Sequence, residues 1–441
     1  MSDLSQSAAG RRAFLSRAGR GASLALGSGA LALPGLALAD RAGDRRFVLI
    51  LLRGALDGLH ALVPHGDPAY AGARRDLALS LGGESLIGSA AAQAAAAAPV
   101  APVSSAAPAA AAAPVPAAAA PRPLHRLDDL FALHGELGFL AGLHARGEAI
   151  ALHAVAGPYR ERSHFDAQNI LETGALAAYA LRDGWLNRAL SGRGGPPLPA
   201  LALSQAVPTV LQGAVAVASY APSRLPAPPE DTFARIARLY QGDEQLRLLW
   251  SQALGARGMA QEAGMASGAT RPGTQFAETA ATAARFLAQP QGPRIAVLES
   301  DGWDTHAQQA GRLSGLLRQL DRALESLALG LGAAWSQTAV LVVTEFGRTV
   351  SPNGTGGTDH GTGGAAFLAG GAVAGGRVLA DWPGLAPAQL HQGRDLRPTL
   401  DLRALLKGVL HDHLQVPARE LDQRVFPDSL SVVRLQGLFR A

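Results

Sequence analysis

Three stretches of this 441-residue chain concentrate the residue types that do chemistry. The first is Glu299-Ser300-Asp301-Gly302-Trp303-Asp304-Thr305-His306. Asp304 and His306 stand two apart, with Asp301 upstream. Ligands two apart on a loop can converge on one ion, and carboxylate plus imidazole suits Zn²⁺, Mn²⁺ or Fe. A solvated turn is the plainer reading of the same residues. The second runs from Val340 to Gly364, where five apolar or β-branched residues end at Glu345 and a glycine-rich loop carries Arg348, Asp359 and His360. The third is Gly157-Pro158-Tyr159-Arg160-Glu161-Arg162-Ser163-His164. The pattern turns helical at Ser163, so this hydroxyl is a natural N-cap. The same position has free backbone N–H groups and a positive dipole beside it, and Arg160, Arg162 and His164 are close in sequence. Together they suit an oxyanion substrate, and the two roles are compatible.

The elements that must position these stretches follow from the apolar runs. Phe47–Leu52, Ala149–Val155, Arg294–Leu298 and Ala339–Thr344 read as buried strands, each followed by a charged loop. The first leads into Arg53-Gly54-Ala55-Leu56-Asp57-Gly58-Leu59, where Asp57 is either part of a ligand or metal loop or the cap of the next helix. Shorter strands are expected at Ala200–Leu203, Val215–Ser219 and Ala365–Leu368, and a β-hairpin edge at Ala372–Leu379. Helical spacing marks Leu127–Arg146, Asp231–Ala253, Gln275–Ala288, Gly311–Leu331 and Asp401–Val409. His134, His411 and His413 within these patterns read as structural. Strand, charged loop and helix in repetition give an α/β fold with a mainly parallel central sheet flanked by helices. Ligands of such sheets bind beyond the carboxyl ends of the strands, and the charged loops all follow strands.

The rest of the composition sets limits. The segment at 89–121 is almost wholly Ala, Pro, Val and Ser and reads as a disordered insertion within the domain. Gly255–Gly273 reads as a flexible loop. No Cys is present, so thiolate chemistry is absent. At the amino terminus, Gly10-Arg11-Arg12-Ala13-Phe14-Leu15-Ser16 is a twin-arginine pattern, followed by an apolar run from Ala22 to Leu38 and an A-x-A site ending at Ala39. We expect a signal peptide over 1–39, a single domain over 40–441, the twin-arginine export machinery as a partner, a periplasmic or secreted location and no stable membrane span after cleavage. The formal charge of +4 resides mostly in that signal, through Arg11, Arg12, Arg17 and Arg20. The remaining chain carries no basic stripe and little aromatic interleaving, which argues against a nucleic-acid role. A serine hydrolase of the G-x-S-x-G kind is disfavoured because that elbow is absent.

RGALDGL, GPYRERSHFDAQNILETG, DGWDTH, TEFGRT and GTDHGTGG, in this order behind a twin-arginine signal, resemble the bacterial exported family called domain of unknown function 1501. That family is itself similar to the alkaline phosphatase and sulfatase superfamily. The resemblance implies an alkaline phosphatase-like fold and a metal-dependent hydrolase of phosphate or sulfate esters. It implies Ser163 as nucleophile, Arg160, Arg162 or Arg348 as clamps on the ester oxygens, and His164 as acid for the leaving group. The implied metal ligands come from Asp57, Asp301, Asp304, His306, Glu345, Asp359 and His360, holding Zn, Mn, Ca or Fe. The superfamily has an Asp-His pair where this chain reads Glu345-Phe346, so one expected imidazole is missing. The alternative is a non-catalytic exported protein on the same scaffold, binding an anionic ester, a polysaccharide or a partner protein.

Overall fold

Arg46–Leu52 (β1) is buried along its whole length, with Val48, Ile50 and Leu52 on one face and Phe47, Leu49 and Leu51 on the other. From Phe47 to Leu52 both faces are covered and every position is apolar, which is why this run shows no alternation. The computed structural model describes residues 44–82, 122–193, 199–221, 230–262 and 274–440. The expected signal at 1–39 and the Ala/Pro-rich segment at 89–121 lie outside the described residues.

Around β1 the described residues build a nine-stranded sheet. Its other members are β2 (Ala149–Ala156), β3 (Ala200–Ala202), β4 (Ala218–Ser219), β5 (Ile295–Ser300), β6 (Thr338–Thr344), β7 (Gly364–Ala369), β8 (Arg377–Leu379) and β9 (Leu400–Asp401). The order is β8-β2-β7-β6-β1-β5-β3-β4, with β9 also on β2. All pairings are parallel except those of β7, which runs against both β2 and β6. The helices used below are α1 (Gly138–Ala145), α2 (His164–Thr173), α3 (Gln275–Ala288), α4 (Gln309–Leu331) and α5 (Leu402–Asp412). One face of the sheet packs on α1, α3 and α4, the other on α5, the Trp185–Ser191 helix and Leu171 of α2. Among the described residues no helix is long and apolar enough to cross a membrane.

The single reversed strand has a functional consequence. Strands β1, β2, β5 and β6 deliver their following loops to one edge of the sheet. Because β7 is antiparallel, its amino end lies at that same edge. The connection from Glu345 to Gly363 therefore never leaves it. This loop folds back on itself through Gly347 N–H to Thr362 O (2.9 Å), Gly361 N–H to Gly347 O (2.8 Å) and Thr349 N–H to Asp359 O (2.9 Å). Its two limbs touch so closely that a Cβ at Gly347 would stand 1.9 Å from the Gly363 carbonyl oxygen. Only glycine permits that approach.

Several sequence expectations shift. The leucine spacing from Leu127 to Arg146 holds a helix only from Gly138 onward. Asp128 accepts the N–H groups of Leu130 (2.8 Å) and Phe131 (2.6 Å), an Asx turn that turns the chain into a small sheet instead. The helix expected over Asp231–Ala253 is broken into Glu230–Leu239 and Glu244–Glu262, where Asp243 accepts the N–H of Leu246 and restarts it. The second piece continues past Gly255, so the loop does not open there; strong helix formers to Glu262 outweigh the glycines, and 263–273 lie outside the described residues. Only Ala218–Ser219 pairs within the strand expected at Val215–Ser219. No hairpin forms at Ala372–Leu379, because Arg377–Leu379 pairs parallel with β2.

Candidate metal centre

The loops after β1, β2, β5 and β6 and the loop before β7 meet at one edge, and three imidazoles converge there. His164 opens α2, His306 ends the loop after β5, and His360 precedes β7. The Nε2 atoms of His164 and His360 are 2.9 Å apart, and those of His306 and His360 are 3.0 Å apart. Asp304 joins them: its Oδ2 lies 3.5 Å from His164 Nε2, and its Oδ1 lies 3.4 Å from His360 Nε2 and 3.0 Å from His306 Nε2. His164, Asp304 and His360 offer donor atoms all within 4.8 Å of one another.

Each imidazole is held from behind. His164 Nδ1–H donates to Glu345 Oε1 (2.8 Å), His306 Nδ1–H to Asp359 Oδ1 (3.1 Å) and His360 Nδ1–H to the Arg162 carbonyl (2.9 Å). Every partner is an acceptor, so the Nδ1 atoms carry the protons and the Nε2 lone pairs are left to face one another. That is the arrangement by which outer acceptors orient metal-bound histidines. Bonds of about 2.0–2.1 Å in a tetrahedral set would hold neighbouring donors about 3.4 Å apart. The gaps found here, 2.9–3.5 Å, bracket that spacing.

Glu345 is a heavily used carboxylate. Besides His164 it accepts from Gly54 N–H (2.9 Å), Gln168 Nε2 (3.1 Å) and Thr344 Oγ1 (2.9 Å). Burial alone would raise its pKa, but these donors bring it below the usual carboxylate range. The same hydrogen bond raises the pKa of His164 against the effect of burial, while burial lowers that of His360. Protonation of His164 and binding of an ion at its Nε2 would therefore compete. Asp304 is likewise held low despite burial by Arg348, whose Nη1 donates to Oδ1 at 2.5 Å. Phe346 packs under the rings of His164 (centroids 4.9 Å) and His360 (5.3 Å). It limits their tilt rather than adding a donor.

The edge thus gathers His164, Asp304, His306, Glu345, Arg348, Asp359 and His360. His164, expected as an acid, stands among the donors. Glu345 and Asp359, expected as ligands, stand behind imidazoles. Asp57 is fully engaged elsewhere: it is 1% exposed, caps the Gly58–Ala61 turn through His60 N–H, and accepts from Arg74 Nη2 and Gln309 Nε2, both at 2.6 Å. Asp301 is exposed to solvent. The arginines are committed as well. Arg160 Nη1 turns back onto the carbonyls of Gly157 and Tyr159. Arg162, at φ +63°, pairs with buried Asp395 through Nε (2.9 Å) and Nη2 (2.7 Å). Arg348 is buried against Asp304 and Thr358. Ser163 sits in the N-cap position of α2 without capping it by its side chain. Its N–H faces the Tyr159 hydroxyl (3.3 Å), and that hydroxyl reaches Asp166 (3.2 Å). His134, His411 and His413 are structural: His134 Nδ1 accepts Glu136 N–H, and the other two bond the carbonyls of Val416 and Arg46. Gln168, Gln309 and Thr358, which brace the centre, left no mark in the sequence beyond their nearness to it.

No curated protein matches this chain. Among solved structures, the crystal structure of Ps i-CgsB in complex with k-i-k-neocarrahexaose is similar over 66% of this chain and 70% of its own, at 10% identity and a TM-score of 0.36, too distant to inform the site. The family model described as protein of unknown function (DUF1501) matches residues 44–425, every loop of the centre included, and the chain belongs to that family.

Proposed function

We propose that the protein is an exported, metal-dependent hydrolase of phosphate or sulfate esters, on a scaffold of the alkaline phosphatase kind. The observation that carries the metal assignment is the set of three imidazoles, each fixed through Nδ1 by an acceptor, whose Nε2 atoms converge with Asp304. His164, Asp304 and His360 would hold the ion, with His306 beside them. Imidazole with one carboxylate suits Zn²⁺, Mn²⁺ or Fe better than Ca²⁺, which prefers oxygen. A divalent ion there supplies Lewis acidity to an ester oxygen and makes a nearby hydroxyl easier to deprotonate.

The chain's own groups account for the rest. Ser163 immediately precedes a ligand in the chain, and its hydroxyl is the nucleophile of this proposal. The start of α2, uncapped by a side chain, presents N–H groups and a positive dipole to nonbridging oxygens. That role falls to the helix because Arg160, Arg162 and Arg348 are bonded to other groups. Glu345 and Asp359 keep the imidazoles in the tautomer that leaves Nε2 free. A twin-arginine signal, a periplasmic or secreted location and signal removal after export complete the proposal.

The engagement of all three arginines also favours the second reading, a metal-bearing protein that binds an anionic ester or polysaccharide without turning it over. Elemental analysis of protein exported with its own signal tests both. About one equivalent of Zn, Mn or Fe is expected from a single donor cluster, together with release of nitrophenol from p-nitrophenyl phosphate or sulfate that stops on chelation. Bound metal without turnover leaves the second reading. Protein that is isolated metal-free and takes up none of these ions overturns both.

A further inference from the structure

Behind the centre, a chain of side chains runs from Asp57 to Asp304, and from Arg348 onward its hydrogen bonds all point toward Asp57. Gln309, fully buried at the first position of α4, is the middle of it. Its Nε2 donates to Asp57 Oδ2 at 2.6 Å. Its Oε1 accepts two hydroxyls, Thr305 Oγ1 (2.9 Å) and Thr358 Oγ1 (2.6 Å). Thr358 Oγ1, its proton so directed, accepts from Arg348 Nε at 3.1 Å. Arg348 Nη1 then donates to Asp304 Oδ1 at 2.5 Å. Thr305 lies between Asp304 and His306, so the same amide also grips that loop, and Thr358 N–H donates to the Thr305 carbonyl at 3.2 Å.

The direction has a cause. A carboxylate only accepts, so Asp57 forces the amide nitrogen of Gln309 toward itself and the oxygen toward the threonines. Asp57 cannot turn away, because Arg74 and the His60 N–H hold it. Reversing the amide would set a carbonyl against a carboxylate and turn the amide nitrogen onto two hydroxyls, one of which already accepts from Arg348. With Asp57, Thr305, Gln309, Arg348 and Thr358 all buried, an unmet partner is costly. The chain is therefore set in one state, which fixes the Arg348 fork and, through it, one carboxylate of the candidate centre.

We propose that Gln309 and Thr358 are positioning residues for the metal centre, and that Asp57 acts on the ion only through them, by polarising the Gln309 amide that orients Arg348 and Asp304. This rests on the metal reading above. It assigns Asp57 an indirect part in place of ligation.

The test measures zinc affinity of the full chain by competition with a chromogenic chelator, alongside thermal unfolding of the metal-free form. Thr358→Val removes the hydroxyl at constant shape and should weaken zinc binding about tenfold, the lower end for outer partners of a metal site. Gln309→Ala should do at least as much. Thr358→Ser, which restores the hydroxyl, should bind zinc like the wild type. Thr338→Val serves as control, since it removes another buried hydroxyl (bonded to Ala334 O at 2.7 Å) from the far end of β6. It should lower the unfolding temperature and leave zinc affinity unchanged. The inference is overturned if the wild type binds zinc and Thr358→Val binds it equally well, or if Thr338→Val weakens binding as much as Thr358→Val. A wild type that binds no zinc, manganese or iron overturns the centre itself and this inference with it.

Discussion

Gly54 is a position where one added methyl group would directly disturb the centre. It follows β1 at φ +116°, and a Cβ built there would meet Asp304 N at 2.4 Å and Asp304 Cβ at 3.1 Å. Gly54 also touches both sides of the site, donating its N–H to Glu345 and accepting Arg348 Nη1 at its carbonyl. Ordinary contact begins near 3.4 Å, so Gly54→Ala would have to push the Asp304 backbone away by about 1 Å. Misplacement by about 1 Å costs on the order of 10²-fold in rate where geometry carries the chemistry. The φ value adds about 1–3 kcal/mol of strain. We expect zinc affinity, read by chelator competition, to fall about 10- to 100-fold, with any esterase activity falling at least as far. Gly332→Ala separates strain from collision: Gly332 also has positive φ (+53°), but nothing lies within 4 Å of its Cβ. It should lose some stability and no zinc affinity. Gly54→Ala binding zinc within about twofold of the wild type, or Gly332→Ala losing as much, would refute the placement of Asp304 against Gly54.

Much of this was legible in the sequence, and the misses have specific causes. The parallel strands β1, β2, β5 and β6 are unbroken apolar runs, a pattern that burial on both faces imposes, and their loops were correctly expected to share an edge. The roles within those loops were less legible. Ligation depends on which imidazole nitrogen is free, and that depends on partners far apart in the chain: Glu345 for His164 and Asp359 for His306. Nothing in the spacing of Ser163-His164 distinguishes a ligand from an acid, because the deciding atom lies 181 residues away. Asp57 illustrates the opposite error. Its place after the first strand suits a ligand, yet Arg74, seventeen residues on, meets it in a buried ion pair that no local pattern announces. The helix boundaries missed at Gly138 and Glu262 have a local origin, since a single Asx turn or a run of good helix formers outweighs the wider periodicity.

Three further outcomes are expected. Ser163→Ala should abolish esterase turnover while leaving zinc stoichiometry intact, and turnover at the wild-type rate would remove Ser163 from the nucleophile role. Glu345→Gln keeps the shape of the side chain but removes the charge behind His164, and should weaken zinc binding about 10-fold or more; equal affinity would show that the carboxylate is not needed. The third concerns acid stability away from the centre. Burial pushes the pKa of His153 and of His413 down to about 4, and that of His60 to about 3. Each is neutral in the folded chain and titrates near 6.5 when unfolded. Below that value the unfolded state binds more protons, so stability is complete above about pH 6.5 and is lost as the pH falls toward the folded pKa. Between pH 7 and pH 5 a group such as His413 removes about 2 kcal/mol at most. His413 donates Nε2–H to the Arg46 carbonyl at 2.8 Å, a bond a glutamine amide can also make without titrating. Urea unfolding of His413→Gln at pH 7 and pH 5 should therefore show a smaller loss than the wild type, by up to that amount. An equal loss in both would mean that protonation of the buried His413 does not drive the acid response.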